Sequence, residues 1–351
     1  MRRTAVAALV AAFAGVVGTA VAAPTTTPTL RELVGRRLVV AFQGTSASPA
    51  LLARVRRGEV GGVIIFGANV RSLPQIRQLT RTLHATAAAA GRSLLVMVDQ
   101  EGGDVRRFHS LPPVESAQAL GTLAPARIRS EGLATGAALR SIGVDVDLAP
   151  VADVPRVPGA FIEGQERAFS RDPPMAAAAA AAFARGLGDA GVLATAKHFP
   201  GLGGSAHNTD FSAVRIDGTQ AELAADLTPF RRLIDEGVPL VMLSSAVYPA
   251  YGGAPAVWSA SVHTLLRRDL GFRGAIISDA LEPVARSRGR SLADVALLAA
   301  RAGTDLLLLT GDEQASAHVF DSLFAAARDG RLSRAGLERT YARIAALSAP
   351  R

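Results

Sequence analysis

Cysteine is absent from all 351 residues, so no disulfide stabilises the chain and no thiolate can act as nucleophile or metal ligand. Aromatic residues make up only 5%, and no basic block interleaved with aromatics is present, which removes the usual footprint of a nucleic-acid binder. His84, His109, His263 and His318 are scattered, with no carboxylate at metal-ligand spacing. No metal and no other cofactor is therefore expected. Gly61-Gly62 and Gly102-Gly103 lack the spacing of a dinucleotide fingerprint and read as turn or bulge devices. No long Pro, Ser or Gly linker interrupts the body of the chain, so no internal domain boundary is expected.

What remains is apolar mass. Hydrophobic residues form 49% of the chain, enough for a large packed core and too many for a disordered one. The formal net charge is +8, mostly arginine spread along helical stretches. A solvated basic surface, useful near an anionic cell wall, is the plain reading.

The start reads separately. Met1-Arg2-Arg3 is a short basic segment, Ala5 to Val17 is apolar but short for a membrane span, and Ala20-Val21-Ala22 offers small residues to a signal peptidase. Residues 1–23 are expected to be a secretory signal peptide, 24–30 a short linker and 31–351 the folded domain. The alternative is an uncleaved membrane anchor.

Apolar, strand-length runs then alternate with helical stretches. The runs are Arg37 to Phe42, Gly62 to Phe66, Leu94 to Val98, Val144 to Leu148, Leu193 to Ala196, Leu240 to Leu243, Ala275 to Ser278 and Leu306 to Leu309. Helices are expected over Pro74 to Ala90, Pro125 to Ile142, Pro174 to Gly188, Ala221 to Glu236, Ser261 to Leu270, Ser291 to Ala302 and Ser333 to Leu347. The alanine run from residue 176 reads as helix, because alanine is the strongest helix former and Pro173-Pro174 suits a helix start. About eight strands alternating with helices predict the α/β class and a single (β/α)8 TIM-type barrel.

Ionisable residues collect where these strands end, which is where such barrels carry chemistry. Asp99 closes one run, Lys197 and His198 another, and Asp279 a third. Each has a bland reading. Asp279 could cap the following helix, Asp99 with Arg107 could tie two loops together by an ion pair, and Lys197-His198 could be structural. Burying a lysine is costly without partners. Trp258 and Tyr251 could line an aglycone site or simply pack, and Glu282 follows the Asp279 segment closely enough to lie near it.

Five ordered segments carry a resemblance: Asp99-Gln100-Glu101-Gly102-Gly103-Asp104-Val105-Arg106-Arg107-Phe108, Leu148 to Val154, Glu166-Arg167-Ala168-Phe169-Ser170, Lys197-His198-Phe199-Pro200-Gly201 and Ser278-Asp279-Ala280-Leu281. Together they resemble the signatures of glycoside hydrolase family 3, especially its single-domain bacterial β-N-acetylhexosaminidases. The resemblance implies a barrel fold and a retaining mechanism, in which an aspartate attacks the anomeric carbon and water then releases the sugar. It places Asp279 on the nucleophile, and Asp99, Arg107, Arg167, Lys197 and His198 on positions that hold the sugar.

One loop departs from the family. Gly201-Leu202-Gly203-Gly204-Ser205-Ala206-His207-Asn208-Thr209-Asp210 puts Asn208 where the resemblance implies the aspartate of an acid/base dyad, and Asp210 where it implies the histidine. Asp210 can be the general acid, its pKa raised by a partly apolar pocket near Phe211. His207 can take the role through another loop path. The third reading is a hydrolase that has weakened or lost activity but retains a sugar pocket.

The expectation is a secreted retaining exo-glycosidase, a monomer acting on terminal β-N-acetylglucosaminyl or related residues of small oligosaccharides or cell-wall glycans, without nucleic-acid partners and without a transmembrane domain once the leader is cleaved. Two alternatives stand beside it. One is a non-catalytic or weakly active wall-glycan binder of the same fold, and the other a lyase in which Lys197, its pKa depressed, forms a Schiff base.

Overall fold

A computed structural model describes residues 27–348. The expected signal peptide lies outside the described residues. Eight parallel strands form one sheet, and two further short strands pair as a hairpin. In chain order they are β1 (Leu38–Val40), β2 (Gly62–Ile65), β3 (Leu95–Val98), β4 (Gln100–Gly102), β5 (Val105–Arg106), β6 (Val146–Asp147), β7 (Leu193–Phe199), β8 (Leu240–Leu243), β9 (Ala275–Ser278) and β10 (Leu307–Leu309).

The sheet runs β10-β1-β2-β3-β6-β7-β8-β9. An Ile277–Leu306 parallel bridge joins its two ends into a barrel. Every strand expected from the sequence is present. The β4–β5 hairpin was not anticipated, because its polar residues carry no strand periodicity.

Strand alternation divides the core into two layers. Val39, Ile64, Leu95, Met97, Val146, Leu193, Leu240, Met242, Ala275, Ile277 and Leu308 pack inside the barrel, while a larger cluster fills the space between strands and helices. Ile344 and Leu347, on the last helix (Arg334–Leu347), join the inner cluster and pack beside the barrel.

The alanine run is helical, over Pro173–Asp189, with Asp172 as its N-cap. Its small residues have a packing reason: a Cβ at Gly186 would lie 2.2 Å from the carbonyl oxygen of Arg129, so this helix and Pro125–Ser141 approach backbone to backbone.

The single helix expected over Ala221 to Glu236 is instead Gln220–Leu223, a 3₁₀ turn Ala225–Leu227 and Thr228–Asp235. Pro229, which has no N–H and crowds the preceding turn, starts the second segment. The stretch Ser261 to Leu270 is likewise split, into Ala260–Thr264 and a π-helical turn Leu265–Asp269. Residue 30, assigned from the sequence to a linker, already starts the helix Leu30–Gly35, closed by a Thr29–Glu32 capping box. The helices Pro49–Arg57, Leu281–Ser287 and Glu313–Arg328 were not among the sequence expectations.

Candidate active site

A cavity of about 440 Å³ opens at the C-terminal ends of the strands. It collects Asp99, Arg107, Arg167, Lys197, His198, Asp210 and Asp279, so every candidate site residue but His207 reaches one place.

Asp99 follows β3 directly, and the β4–β5 hairpin then folds Arg107 back beside it. The turn depends on Gly102 and Gly103, both at positive φ; a Cβ on Gly102 would lie 2.1 Å from the carbonyl oxygen of Glu115. Gln100, fully buried, fixes the hairpin's return: its amide oxygen accepts from the backbone N–H groups of Arg107 (3.1 Å) and Phe108 (3.0 Å).

Lys197 and His198 are neighbours on β7, where strict alternation would send them to opposite faces. The pairing with β8 shifts between Ala196 and Phe199, so that three steps on β7 match two on β8. That irregularity lets both side chains line the cavity.

The floor is a network of alternating charges. Lys197 Nζ lies 2.7 Å from Asp99 Oδ1 and 2.7 Å from Glu101 Oε1. Arg167 grips Glu101 with two parallel bonds, Nε and Nη2 each at 2.8 Å, and Arg107 Nη2 lies 3.3 Å from Asp99 Oδ2. Burial alone would raise both acids, but Lys197 and Arg107 hold Asp99 below the usual carboxylate range, and Arg167 with Lys197 holds Glu101 far below it. Burial would likewise lower the Lys197 ammonium, yet Asp99 and Glu101 keep it above its ordinary value.

Lys197 is the single lysine of a chain rich in arginine. A compact ammonium fits between two carboxylates where a planar guanidinium would not. Schiff-base chemistry needs a neutral amine, so the raised Lys197 corrects the lyase alternative.

Asp153, fully buried, orients His198. Its Oδ2 lies 2.8 Å from His198 Nδ1, and its Oδ1 accepts from the backbone N–H groups of His198 (3.1 Å) and Leu202 (2.7 Å). With Nδ1 engaged by Asp153, Nε2 is the ring's second polar atom, available to a ligand.

Asp279 sits one residue beyond β9, its Oδ1 accepting the Ala280 N–H at 2.8 Å. It does not cap the next helix: Ala280 is the N-cap residue of Leu281–Ser287, and no side chain bonds there. Burial pushes the Asp279 carboxyl above its ordinary value; His198 and Lys197 pull it back, and the neighbouring Asp210 pushes it further up.

Asp210 lies on the cavity wall, its backbone N–H bonded to Asn208 Oδ1 at 2.9 Å and its carbonyl oxygen accepting from Arg286 Nη2 at 3.3 Å. Phe211 is 87% exposed and so does not enclose Asp210 in the apolar pocket expected from the sequence. His207 is exposed and does not line the cavity; Ser205 Oγ bonds both its N–H and its carbonyl, turning the backbone there outward.

Tyr251 packs on Tyr248, with ring centroids 6.5 Å apart, and Trp258 packs on the core; neither reaches the cavity. Glu282 does line it, and accepts from Thr310 Oγ1 at 2.9 Å and Gly311 N at 2.8 Å.

Sequence reasoning gave no role to Glu101, Asp153 or Arg286. Glu101 stands two residues from Asp99, the spacing that puts two side chains on one face of an extended segment, and it meets Lys197 and Arg167 there. Asp153 had a usable signal, a carboxylate within the apolar stretch Leu148 to Val154, since a buried carboxylate needs partners.

The cluster can grip vicinal hydroxyls through carboxylate acceptors and cationic donors, while Asp279, at the end of β9, is engaged by no ion pair among the described residues and keeps a carboxylate oxygen for chemistry. Among the described residues no group of three or more His, Asp or Glu is placed to hold a metal ion.

Comparison with known proteins agrees with this chemistry. The model of the glycosyl hydrolase family 3 N-terminal domain matches residues 29–347. An uncharacterized secreted glycosyl hydrolase of Arthroderma benhamiae is 34% identical over 340 residues, covering 93% of this chain and 96% of that protein. The family 3 β-N-acetylglucosaminidase of Paenibacillus sp. str. FPU-7 superposes with a TM-score of 0.88 at 31% identity, over 92% of this chain and 62% of that larger one. The β-N-acetylhexosaminidase of Beutenbergia cavernae gives 0.85 at 31% identity, covering 92% and 99% of the two chains. With its barrel, its ordered strand-end motifs and a family match along nearly its whole described length, the chain belongs to glycosyl hydrolase family 3 and is a glycoside hydrolase.

Proposed function

We propose that this hydrolase is a secreted retaining exo-glycosidase that removes terminal β-N-acetylglucosaminyl, or closely related β-glycosyl, residues through a covalent glycosyl-aspartate intermediate. The observation that carries the reading is Asp279 in a polar cavity with Asp99, Arg167 and Lys197 on one side and Asp210 near enough to alter its ionisation. A cavity of about 440 Å³ suits a terminal ring with part of its neighbour.

In the first step an Asp279 oxygen forms a bond to the anomeric carbon while the glycosidic C–O bond breaks, and Asp210 gives its proton to the departing oxygen. In the second, Asp210 takes a proton from water, whose oxygen attacks the same carbon and frees Asp279. His198, oriented by Asp153, and the Asp99–Lys197–Glu101–Arg167 network bind the ring hydroxyls and orient C1 toward Asp279. The N-acetyl preference rests on what the Paenibacillus and Beutenbergia proteins are named for. Secretion rests on the leader-like residues 1–23 and on the name of the Arthroderma relative. No described helix is long and apolar enough to cross a membrane.

The test uses a dinitrophenyl β-N-acetylglucosaminide, whose leaving group needs little acid assistance. Wild type should release dinitrophenolate and show a glycosyl adduct by intact mass, while Asp279→Asn should lose both, at least about 10⁴-fold in kcat. A second reading, a non-catalytic wall-glycan binder, is favoured by one observation: the loop lacks a histidine facing the cavity. Binding of the oligosaccharide with no turnover of this substrate, or of matching glucoside and xyloside probes, would establish that reading in its place.

A further inference from the structure

A second cavity, of about 470 Å³, lies at the other end of the barrel, beside the N-terminal ends of β1 and β10. Arg37, Arg267, Arg301, Arg331, Arg339 and Arg343 line it, and no carboxylate does. Asp305, fully buried beneath them, takes Arg267 Nη2 at 2.6 Å and Arg343 Nη1 at 2.9 Å. Arg331 meets only Asp329, at 3.5 Å on the surface. Arg37 donates to the backbone carbonyls of Ala300, Thr304 and Asp305. Among the described residues Arg301 and Arg339 have no ion pair, and both are exposed.

Six guanidiniums thus face two carboxylates. The imbalance is reinforced by backbone: the 14-residue helix Arg334–Leu347, capped by Ser333, opens its positive end at this cavity. Burial pushes the guanidiniums of Arg37 and Arg267 down to about 10, and Arg343 beside Arg267 adds to the repulsion there. A bound anion would relieve that crowding of like charge.

We propose that this cavity binds a phosphoryl group, as a free ion or a diester, through Arg301, Arg331 and Arg339, at a site separate from the glycosidic one. Guanidinium forks pair bidentately with the oxygens of a tetrahedral oxyanion, and several forks converging on one cavity suit its multiple charges better than a single carboxylate would. Two sources share this chemistry: free phosphate, and a diester of an anionic polyol-phosphate polymer.

Isothermal titration of the mature protein with inorganic phosphate and with a short glycerol-phosphodiester oligomer, at low and high salt, separates them. Saturable binding that weakens with salt is expected, and Arg301→Gln/Arg339→Gln should weaken it about tenfold or more while leaving hydrolysis of the dinitrophenyl substrate unchanged. Arg331→Gln should weaken it as well. Saturation by phosphate identifies the free ion as ligand, and saturation by the oligomer alone identifies the polymer. If neither saturates, or if the double variant binds as wild type does, the proposal is overturned. Both outcomes are independent of whether the enzyme cleaves N-acetylglucosaminides.

Discussion

Replacing Lys197 with methionine removes the one cation shared by two buried carboxylates while keeping most of the side-chain volume. Glu101 would retain both bonds from Arg167, but Asp99 would be left with Arg107 alone, at 3.3 Å. Breaking a buried ion pair by deleting one partner costs about 3–5 kcal/mol. With two arginines still in place the lower end, about 3 kcal/mol, is expected at neutral pH.

In wild type the folded-state values of Asp99 and Glu101 lie below their ordinary ones, so their stabilisation is present above the usual carboxylate range and is lost as the pH falls through it. In the variant, burial should dominate at Asp99 and raise its value, so that the fold loses stability as the pH rises. The gap between the two proteins should therefore widen from about pH 4 toward pH 7. Urea unfolding across that range measures it, and Lys197→Met/Asp99→Asn should recover part of the loss because no stranded charge remains. A loss below about 1 kcal/mol at neutral pH, or a gap that does not change with pH, would refute the charge-network account.

Asp210→Asn should slow oligosaccharide cleavage about 10²-fold or more but dinitrophenyl glycoside cleavage by less than about 10-fold in its first step, with His207→Ala near wild type on both; the opposite pattern would transfer the acid role to His207. Because burial raises the Asp279 carboxyl, the acid limb of kcat/KM should fall above the ordinary aspartate value of about 3.9. His198→Gln removes a group that holds it down and should move the limb to higher pH; a downward move in a pH–rate profile contradicts the assignment. Gly203→Ala would put a Cβ 1.8 Å from the Val154 carbonyl oxygen, so it should displace the 201–210 loop and cost about 1–3 kcal/mol. Comparing its urea midpoint and its kcat/KM with wild type checks both effects.

The barrel was legible because its strands are apolar on both faces. A run such as Leu193 to Ala196 is bounded and counted without any knowledge of its neighbours, and eight such runs separated by helix-length stretches admit few architectures. Asp99, Lys197 and Asp279 were legible for the same reason, since an ionisable residue at the end of such a run stands where the barrel opens. The broken helix at Pro229 carried a signal too, although amphipathic spacing across Ala221 to Glu236 masked it.

Loop geometry was not legible. Counting along Gly201 to Asp210 fixes an order of residues but not which of them faces the cavity, and the exposed His207 with the cavity-facing Asp210 follows from backbone contacts to Arg156, Ser205 and Arg286. Nor does sequence distance tell that Glu101 and Arg167 meet, 66 residues apart, or that Asp153 holds His198. The sequence alone therefore determined the strands, their order and the residues at their ends, because hydrophobic burial is a property of each short segment. Pairing between distant charges, the facing of the 201–210 loop and the arginine cavity at the barrel's far end were decided only by tertiary structure, because each depends on where separate segments come to rest in three dimensions.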